Sequence, residues 1–136
     1  MPEENKIRLL IVDDDIRMTR TLKTLISKKY SMIEVETAAG GYEALHRINK
    51  GGIDAVLTDV AMPDMDGCDL YIKICQSNPE IQVIMMSAFY DANHAVVRAK
   101  MEGLQDVVPN PELIEKKDLI EKIFQKIEEH FLKKKE

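Results

Sequence analysis

The sequence predicts an α/β fold in which five parallel strands alternate with five helices that cover both faces of one sheet. Three observations carry this. The apolar runs Ile7–Val12, Ala55–Thr58 and Ile81–Met86 are rich in Val, Ile and Leu and have the length of strands buried on both faces. Segments with apolar residues at helical spacing separate them. Each run also leads directly to a polar residue, Asp13, Asp59 and Ser87 respectively. Strict alternation of strand and helix requires parallel pairing through right-handed crossovers, and hence helices on both faces.

The first strand, Ile7–Val12, has Arg8 as its one polar interruption and runs into Asp13-Asp14-Asp15. Met18, Leu22, Leu25 and Ile26 then recur at helical spacing, with an Asp available as N-cap and Lys28 and Lys29 suited to the C-terminal dipole. In Met32–Thr37, Ile33 and Val35 alternate with Glu34 and Glu36, as in a strand at a sheet edge. Ala39-Gly40-Gly41 reads as a turn, and Ala44, Leu45 and Ile48 as a short helix ended by Gly51-Gly52. The third strand, Ala55–Thr58, stops at Asp59, and Pro63, Asp64, Asp66 and Gly67 make the following loop. Leu70, Tyr71, Ile74 and Cys75 mark a helix that Asn78-Pro79 stops. Ile81–Met86 is the fourth strand, Ala95, Val96 and Ala99 a helix closed by Gly103, and Asp106-Val107-Val108 a brief final strand before Pro109-Asn110-Pro111. Asp118-Leu119-Ile120-Glu121 reads as a capping box with Asp118 in the cap position. Leu119, Ile120, Ile123, Phe124, Ile127 and Phe131 give the last helix an apolar face.

At 136 residues, the chain is expected to form a single domain over 1–136, its core about 7–131, with no repeat, linker or low-complexity segment. No apolar run approaches the ~20 residues that span a membrane, and Met1–Lys6 lacks the apolar stretch of a signal peptide. A cytoplasmic location is expected, without membrane association. Cys68 and Cys75 lie about two turns (~10 Å) apart on one helix, too far to bridge, and both read as packing residues. The net charge of −5, with no basic stripe apart from Lys133-Lys134-Lys135, argues against direct nucleic-acid binding.

In a parallel sheet, all strand ends that lead into helices fall on one edge, so Asp13, Asp14, Asp59 and Ser87 should converge there. A single Asp at a strand end is commonly a cap or turn former. Here three carboxylates meet a hydroxyl from a separate strand. At ~4 Å and an effective dielectric near 20, each carboxylate pair costs on the order of 4 kcal/mol, so the group must retain a proton or bind a cation. Hard oxygen donors in an open site favour Mg²⁺, and such a site suits phosphoryl transfer to a carboxylate.

These residues resemble the receiver domain of bacterial response regulators, the CheY-like domain, over about Ile7 to Phe131. The resemblance rests on Leu10-Ile11-Val12-Asp13-Asp14, on Thr58-Asp59-Val60-Ala61-Met62-Pro63-Asp64-Met65-Asp66-Gly67, and on Ile84-Met85-Met86-Ser87-Ala88. It implies a flavodoxin-like fold with strand order 2-1-3-4-5. It implies a role in two-component phosphorelay signalling, with Asp59 accepting a phosphoryl group from a sensor histidine kinase or a phosphotransfer protein. Mg²⁺ would be held by Asp14, Asp59 and the Ala61 backbone carbonyl, with Asp13 acting through water, and Ser87 would hydrogen-bond a phosphoryl oxygen. Such a chain is a signalling domain that assists its own phosphorylation and dephosphorylation, not an enzyme acting on other molecules. Ala61 and Phe89, both apolar, fall where the family governs hydrolysis of the phosphoryl group, which implies a slow loss. Homodimerisation through the last two helices is a further arrangement left open, and the sequence names no output partner.

Two residues depart from the family pattern. Asn110 stands where the family has Lys, and Val107 where it usually has Tyr or Phe. They support an alternative, a pseudo-receiver that binds proteins without being phosphorylated. Two enzyme-like readings fare worse. A phosphatase of the haloacid dehalogenase type wants Asp-x-Asp-x-Thr or Val after its first strand, whereas Asp13-Asp14-Asp15-Ile16-Arg17 ends in Arg. A nucleotide-binding α/β domain wants a glycine fingerprint that does not follow this strand.

Overall fold

The computed structural model describes residues 6–87 and 94–132, and the fold is built around two strands from separate parts of the chain. These are β1 (Ile7–Val12) and β3 (Ala55–Asp59), which pair in parallel with Leu9 opposite Ala55 and Val12 opposite Thr58. Outside them lie β2 (Ile33–Ala38), β4 (Gln82–Ser87) and β5 (Asp106–Pro109), all parallel, in the order 2-1-3-4-5. The helices between are α1 (Ile16–Lys29), α2 (Gly41–Asn49), α3 (Gly67–Ser77), α4 (His94–Met101) and α5 (Lys116–Ile127), the last continued by a π-helical turn, Glu128–Leu132. This is the flavodoxin-like arrangement that the motifs imply.

Period-two alternation sorts the strand residues onto two faces. Leu9, Ile11, Leu57, Ile84 and Met86 pack with α1 and α5 residues such as Leu22, Ile26, Leu119 and Ile123. Leu10, Val12, Val56, Val83 and Met85 pack on the other side with Ala44, Ile48, Leu70, Ile74 and Val96 of α2, α3 and α4. Leu9–Val12 and Ala55–Leu57 are wholly inaccessible, as expected for central strands covered on both faces.

Several expectations shift in detail. The second strand begins at Ile33, leaving Met32 partly exposed, and the fourth runs one residue later than read, to include Ser87. Helix α2 starts at Gly41, inside the expected turn. Asp118 does not cap the last helix. Residues 116–118 are already helical, the N-cap is Glu115, and its carbonyl accepts the Asp118 and Leu119 N–H groups. Asp118 instead lies in the first turn, where its charge favours the helix dipole. Cys68 is buried as expected, but Cys75 is exposed and does not serve as a core packing residue. Ala88, Phe89 and Lys133-Lys134-Lys135 lie outside the described residues.

One close approach fixes where α3 leaves the sheet. The Gly67 N–H donates to the Val60 carbonyl at 2.7 Å, and a Cβ at Gly67 would sit 2.6 Å from the Asp59 carbonyl oxygen. Backbone cannot yield as a flexible side chain does. Gly67→Ala is therefore expected to destabilise the fold by about 1–3 kcal/mol in urea titrations. A loss below about 0.5 kcal/mol, within the range of ordinary surface substitutions, would show that α3 shifts freely away from β3.

Candidate functional site

The parallel order puts the exits of β1, β3, β4 and β5 on one edge of the sheet, and the crevice opens between β1 and β3, where the chain's connections diverge. Asp13 and Asp14 follow β1, and Asp59 ends β3. Asp13, Asp14 and Asp59 each offer a carboxylate oxygen, and these atoms all lie within 4.8 Å of one another. Their settings differ. Asp13 is buried, Asp59 half-buried and Asp14 exposed, so the group forms a graded mouth from the sheet edge to solvent. Asp13 accepts the Asp15 N–H at 3.0 Å, and Asp59 accepts the N–H of Val60 at 2.8 Å.

These contacts do not offset the charge. Burial, with the Asp59 and Asp14 charges added, pushes the Asp13 carboxyl up to about 7, against the opposing Asp15 hydrogen bond. Burial also raises Asp59, with Asp14 and Glu112 contributing and the Val60 hydrogen bond opposing. Carboxylates in this state fit a hard divalent cation of the Mg²⁺ or Ca²⁺ kind, because only oxygen donors are on offer and the outermost is open to solvent. Among the described residues, this trio is the one group of three or more His, Cys, Asp or Glu close enough to hold a metal.

The other expected residues take these positions. Ser87 closes β4, buried, one residue beyond the Asp59–Met86 pair of the β3–β4 register. It lies opposite Pro109, and its carbonyl accepts the Asn110 N–H at 3.0 Å. Ala61 is exposed in the loop after β3, two residues beyond Asp59. Val107 is half-buried opposite Met85, against the cluster under α2, α3 and α4. Asn110 is half-buried, and its Oδ1 accepts the Glu112 N–H at 3.0 Å. Its carboxamide oxygen thus builds a turn. Arg98 of α4 bonds Asp69 at 2.8 Å and neighbours Asp66 at 3.8 Å, tying α4 to α3. Lys117 neighbours Glu115.

Two residues emerge only from the structure. Glu112, on the β5–α5 turn, acts electrostatically on Asp59, and no sequence spacing foretells that path. Asp64, read only as a loop former, accepts the N–H groups of Tyr42 (2.9 Å), Met65 (3.0 Å) and Gly41 (3.2 Å). It caps α2 from a distance, since the N-cap Gly40 has no side chain to do so, and these bonds, Tyr42 first, hold its carboxyl below the usual range. A helix opening on Gly40-Gly41 was the signal that an outside acceptor was required. The β3–α3 loop is thereby fastened at both ends, by Asp64 to α2 and by Asp66, which caps α3 by accepting the Asp69 N–H.

The response regulator receiver domain family matches residues 9–124. A protein-glutamate methylesterase/protein-glutamine glutaminase of Pyrococcus abyssi is 34% identical over 128 residues, which cover 91% of this chain and 34% of that protein. The chain thus spans about a third of that relative's length. A CheY-like response regulator receiver domain protein of Methanospirillum hungatei superposes with a TM-score of 0.79 at 30% identity, covering 92% of this chain and 96% of the other. The response regulator domain of Thermotoga maritima CheB also gives a TM-score of 0.79, at 25% identity, covering 92% and 96%.

The raised Asp13 carboxyl has a consequence for stability. A carboxyl higher in the folded state than its ordinary value of 3.8 contributes stability that is complete below that value and is lost as pH rises through about 7. The amount at stake is on the order of 4 kcal/mol. Without divalent cations, Asp13→Asn should therefore raise the melting temperature relative to wild type at pH 8, and do so far less at pH 5. An equal change at both pH values would show that Asp13 does not carry the strained charge.

Proposed function

Because the chain belongs to the response regulator receiver domain family, we propose that it works in two-component signalling by accepting a phosphoryl group on Asp59 from a sensor histidine kinase or a phosphotransfer protein. The observation that carries this reading is the Asp13, Asp14 and Asp59 cluster, with oxygens within 4.8 Å, at the crevice between β1 and β3. Asp59 is the member rooted at a buried strand end, and it is half-buried, so one face is open to a donor.

The chain's own groups divide the work. An Asp59 oxygen attacks phosphorus as the donor's bond to the phosphoryl group breaks, and the donor departs with that electron pair. Asp14, Asp59 and the Ala61 carbonyl would hold Mg²⁺, with Asp13 supporting through water. When bound, Mg²⁺ supplies the positive charge that lets a dianionic phosphoryl group approach a carboxylate. Ser87, at the adjacent strand end, donates its hydroxyl to a phosphoryl oxygen. The domain is a signalling element, and its location is cytoplasmic. Among the described residues, no helix is long and apolar enough to cross a membrane.

Incubation with acetyl phosphate and Mg²⁺ should add one phosphoryl group, read by intact mass. Asp59→Asn should abolish it, and an adduct that persists in this variant would remove Asp59 as acceptor.

A second reading, the pseudo-receiver, is favoured by one observation. Asn110 spends its carboxamide oxygen on the Glu112 N–H and brings no charge, so phosphorylation would be felt weakly beyond the site. Charge-assisted hydrogen bonds are about twice as strong as neutral ones. A beryllofluoride phosphoryl mimic should therefore bind native protein with small amide chemical-shift changes across Val107 and α5, and Asn110→Lys should enlarge them. Large changes in native protein, unaltered by the substitution, would show that the chain switches fully without a lysine.

A further inference from the structure

The loop of residues 60–66, between β3 and α3, leans on a helix from another part of the chain. Asp64 Oδ2 accepts the Tyr42 N–H at 2.9 Å, and its Oδ1 accepts the Gly41 N–H at 3.2 Å. Among the described residues, these are the hydrogen bonds that tie residues 61–65 to anything beyond β3 and α3. The approach is close. A Cβ at Gly40 would sit 2.9 Å from Asp64 Oδ2, and one at Gly41 would collide with the buried Met65 side chain. Helix α2 is itself seated on the sheet by Ala44 and Ile48, buried in the layer that holds Leu10 and Val12. It gives the loop a firm third anchor.

Ala61 stands exposed in this span, three residues before Asp64. A backbone carbonyl has no side-chain torsion with which to find a cation, so its direction is that of the loop. Mg²⁺ demands near-ideal octahedral geometry at about 2.0–2.1 Å, and a carbonyl that wanders is a poor donor. We propose that Asp64 is a positioning residue for the metal site: by clasping the first turn of α2, it fixes the loop that aims the Ala61 carbonyl at the cation. The inference rests on the Mg²⁺ site proposed above, and adds to it a residue that touches no ligand. Asp64 then combines two roles, helix cap and loop anchor, and the structure shows how to part them. The N-cap Gly40 has extended backbone (φ −172°, ψ 179°), which other residues adopt freely. The three atoms nearest a Cβ there all belong to the Asp64 carboxyl group, so its removal makes room. Gly40→Ser in an Asp64→Ala background therefore caps α2 locally. It also completes a capping box with Glu43, whose carboxylate accepts the Ala39 N–H at 3.3 Å, and it leaves the loop untied.

The test compares wild type, Asp64→Ala, and Asp64→Ala paired with Gly40→Ser, all well below their melting temperatures. Mg²⁺ alone is the probe. NMR reads its dissociation constant and the shift of the Ala61 carbonyl carbon at saturation. A wholly folded protein binds with an affinity independent of its stability, so helix capping alone moves neither readout. Asp64→Ala should weaken Mg²⁺ by about threefold to tenfold, less than the roughly 10–100-fold of a partner that bonds a ligand directly. The Ala61 response should shrink, while the side-chain carboxyl carbons of Asp14 and Asp59 still report the ion. The pair should regain the Tyr42 amide protection and the melting temperature lost in the single variant, with Mg²⁺ affinity still low. If Tyr42 stays unprotected in the pair, the Ala61 response decides alone. Unchanged affinity in Asp64→Ala, a full Ala61 response, or recovered affinity in the pair would each overturn the role and leave Asp64 a helix cap only. The metal and acceptor readings would then stand. Wild-type protein whose carboxyl carbons give no response to Mg²⁺ would overturn the metal site and this inference together.

Discussion

Everything at the mouth of this fold depends on an unbalanced repulsion. A parallel sheet of order 2-1-3-4-5 delivers the ends of β1 and β3 to one crevice, and here both ends carry carboxylates. The strands beneath are among the most deeply buried in the chain, so the carboxylates cannot part without disturbing the core. Asp13 answers by holding its proton up to about 7. The folding energy of the two apolar layers thus maintains a site that is electrostatically costly when empty of cation. A cation held among the three carboxylates would relieve that cost.

The loop from Val60 to Asp66 turns that charged edge into a defined shape. Its chain is fastened by Asp64 to the first turn of α2 and by Asp66 to the first turn of α3, and Gly67 allows α3 to approach the Asp59 carbonyl. Carboxylates here have two separate uses. Asp64 and Asp66 are consumed by backbone N–H groups at helix starts, where they stabilise the fold. Asp13 and Asp59 each accept one neighbouring N–H, outside the first turn of any helix, and keep the other oxygen for other partners. The abundance of Asp in this region is thus two populations, told apart by whether a helix N-terminus faces them.

Most of the fold was legible in the sequence because its strands are buried on both faces and its helices amphipathic, so each element announces its period. Asp13, Asp14 and Asp59 were legible as a group for the same reason, since strand ends in a parallel sheet share an edge. What escaped was set by tertiary path, not by local pattern. The Asp118 cap does not form although Asp followed by Glu three residues later fits a capping box, because the helix begins three residues earlier on the Glu115 carbonyl. Cys75 was misread because helical spacing from Leu70 and Tyr71 does not say how far the apolar stripe extends. The capping role of Asp64 is not legible because it acts on a residue more than twenty positions away, across a loop whose course no window of sequence contains.

The exit of β5 shows how such a path can carry information without the side chains expected there. Asn110 donates its N–H to the Ser87 carbonyl, while its Oδ1 accepts the Glu112 N–H and its carbonyl the Leu113 N–H, so one residue joins the end of β4 to the turn that leads into α5. A lysine reaching toward the site would couple through a charged contact to a bound group. The Asn110 turn couples instead through the backbone, where a displacement of Ser87 must be accommodated by the register with Pro109 or by these three bonds. Backbone coupling is stiff over a few ångströms but has no second packed arrangement, whereas an aromatic at the Val107 position could occupy two. Val107, half-buried against the Met85 side of the sheet, has no such alternative, because a β-branched side chain is confined at χ1. A bistable element is what turns a local event into a distant one. Here the acidic cluster stands at the sheet edge, while the exit of β5 is tied to the end of β4 by backbone bonds and carries neither the lysine nor the aromatic.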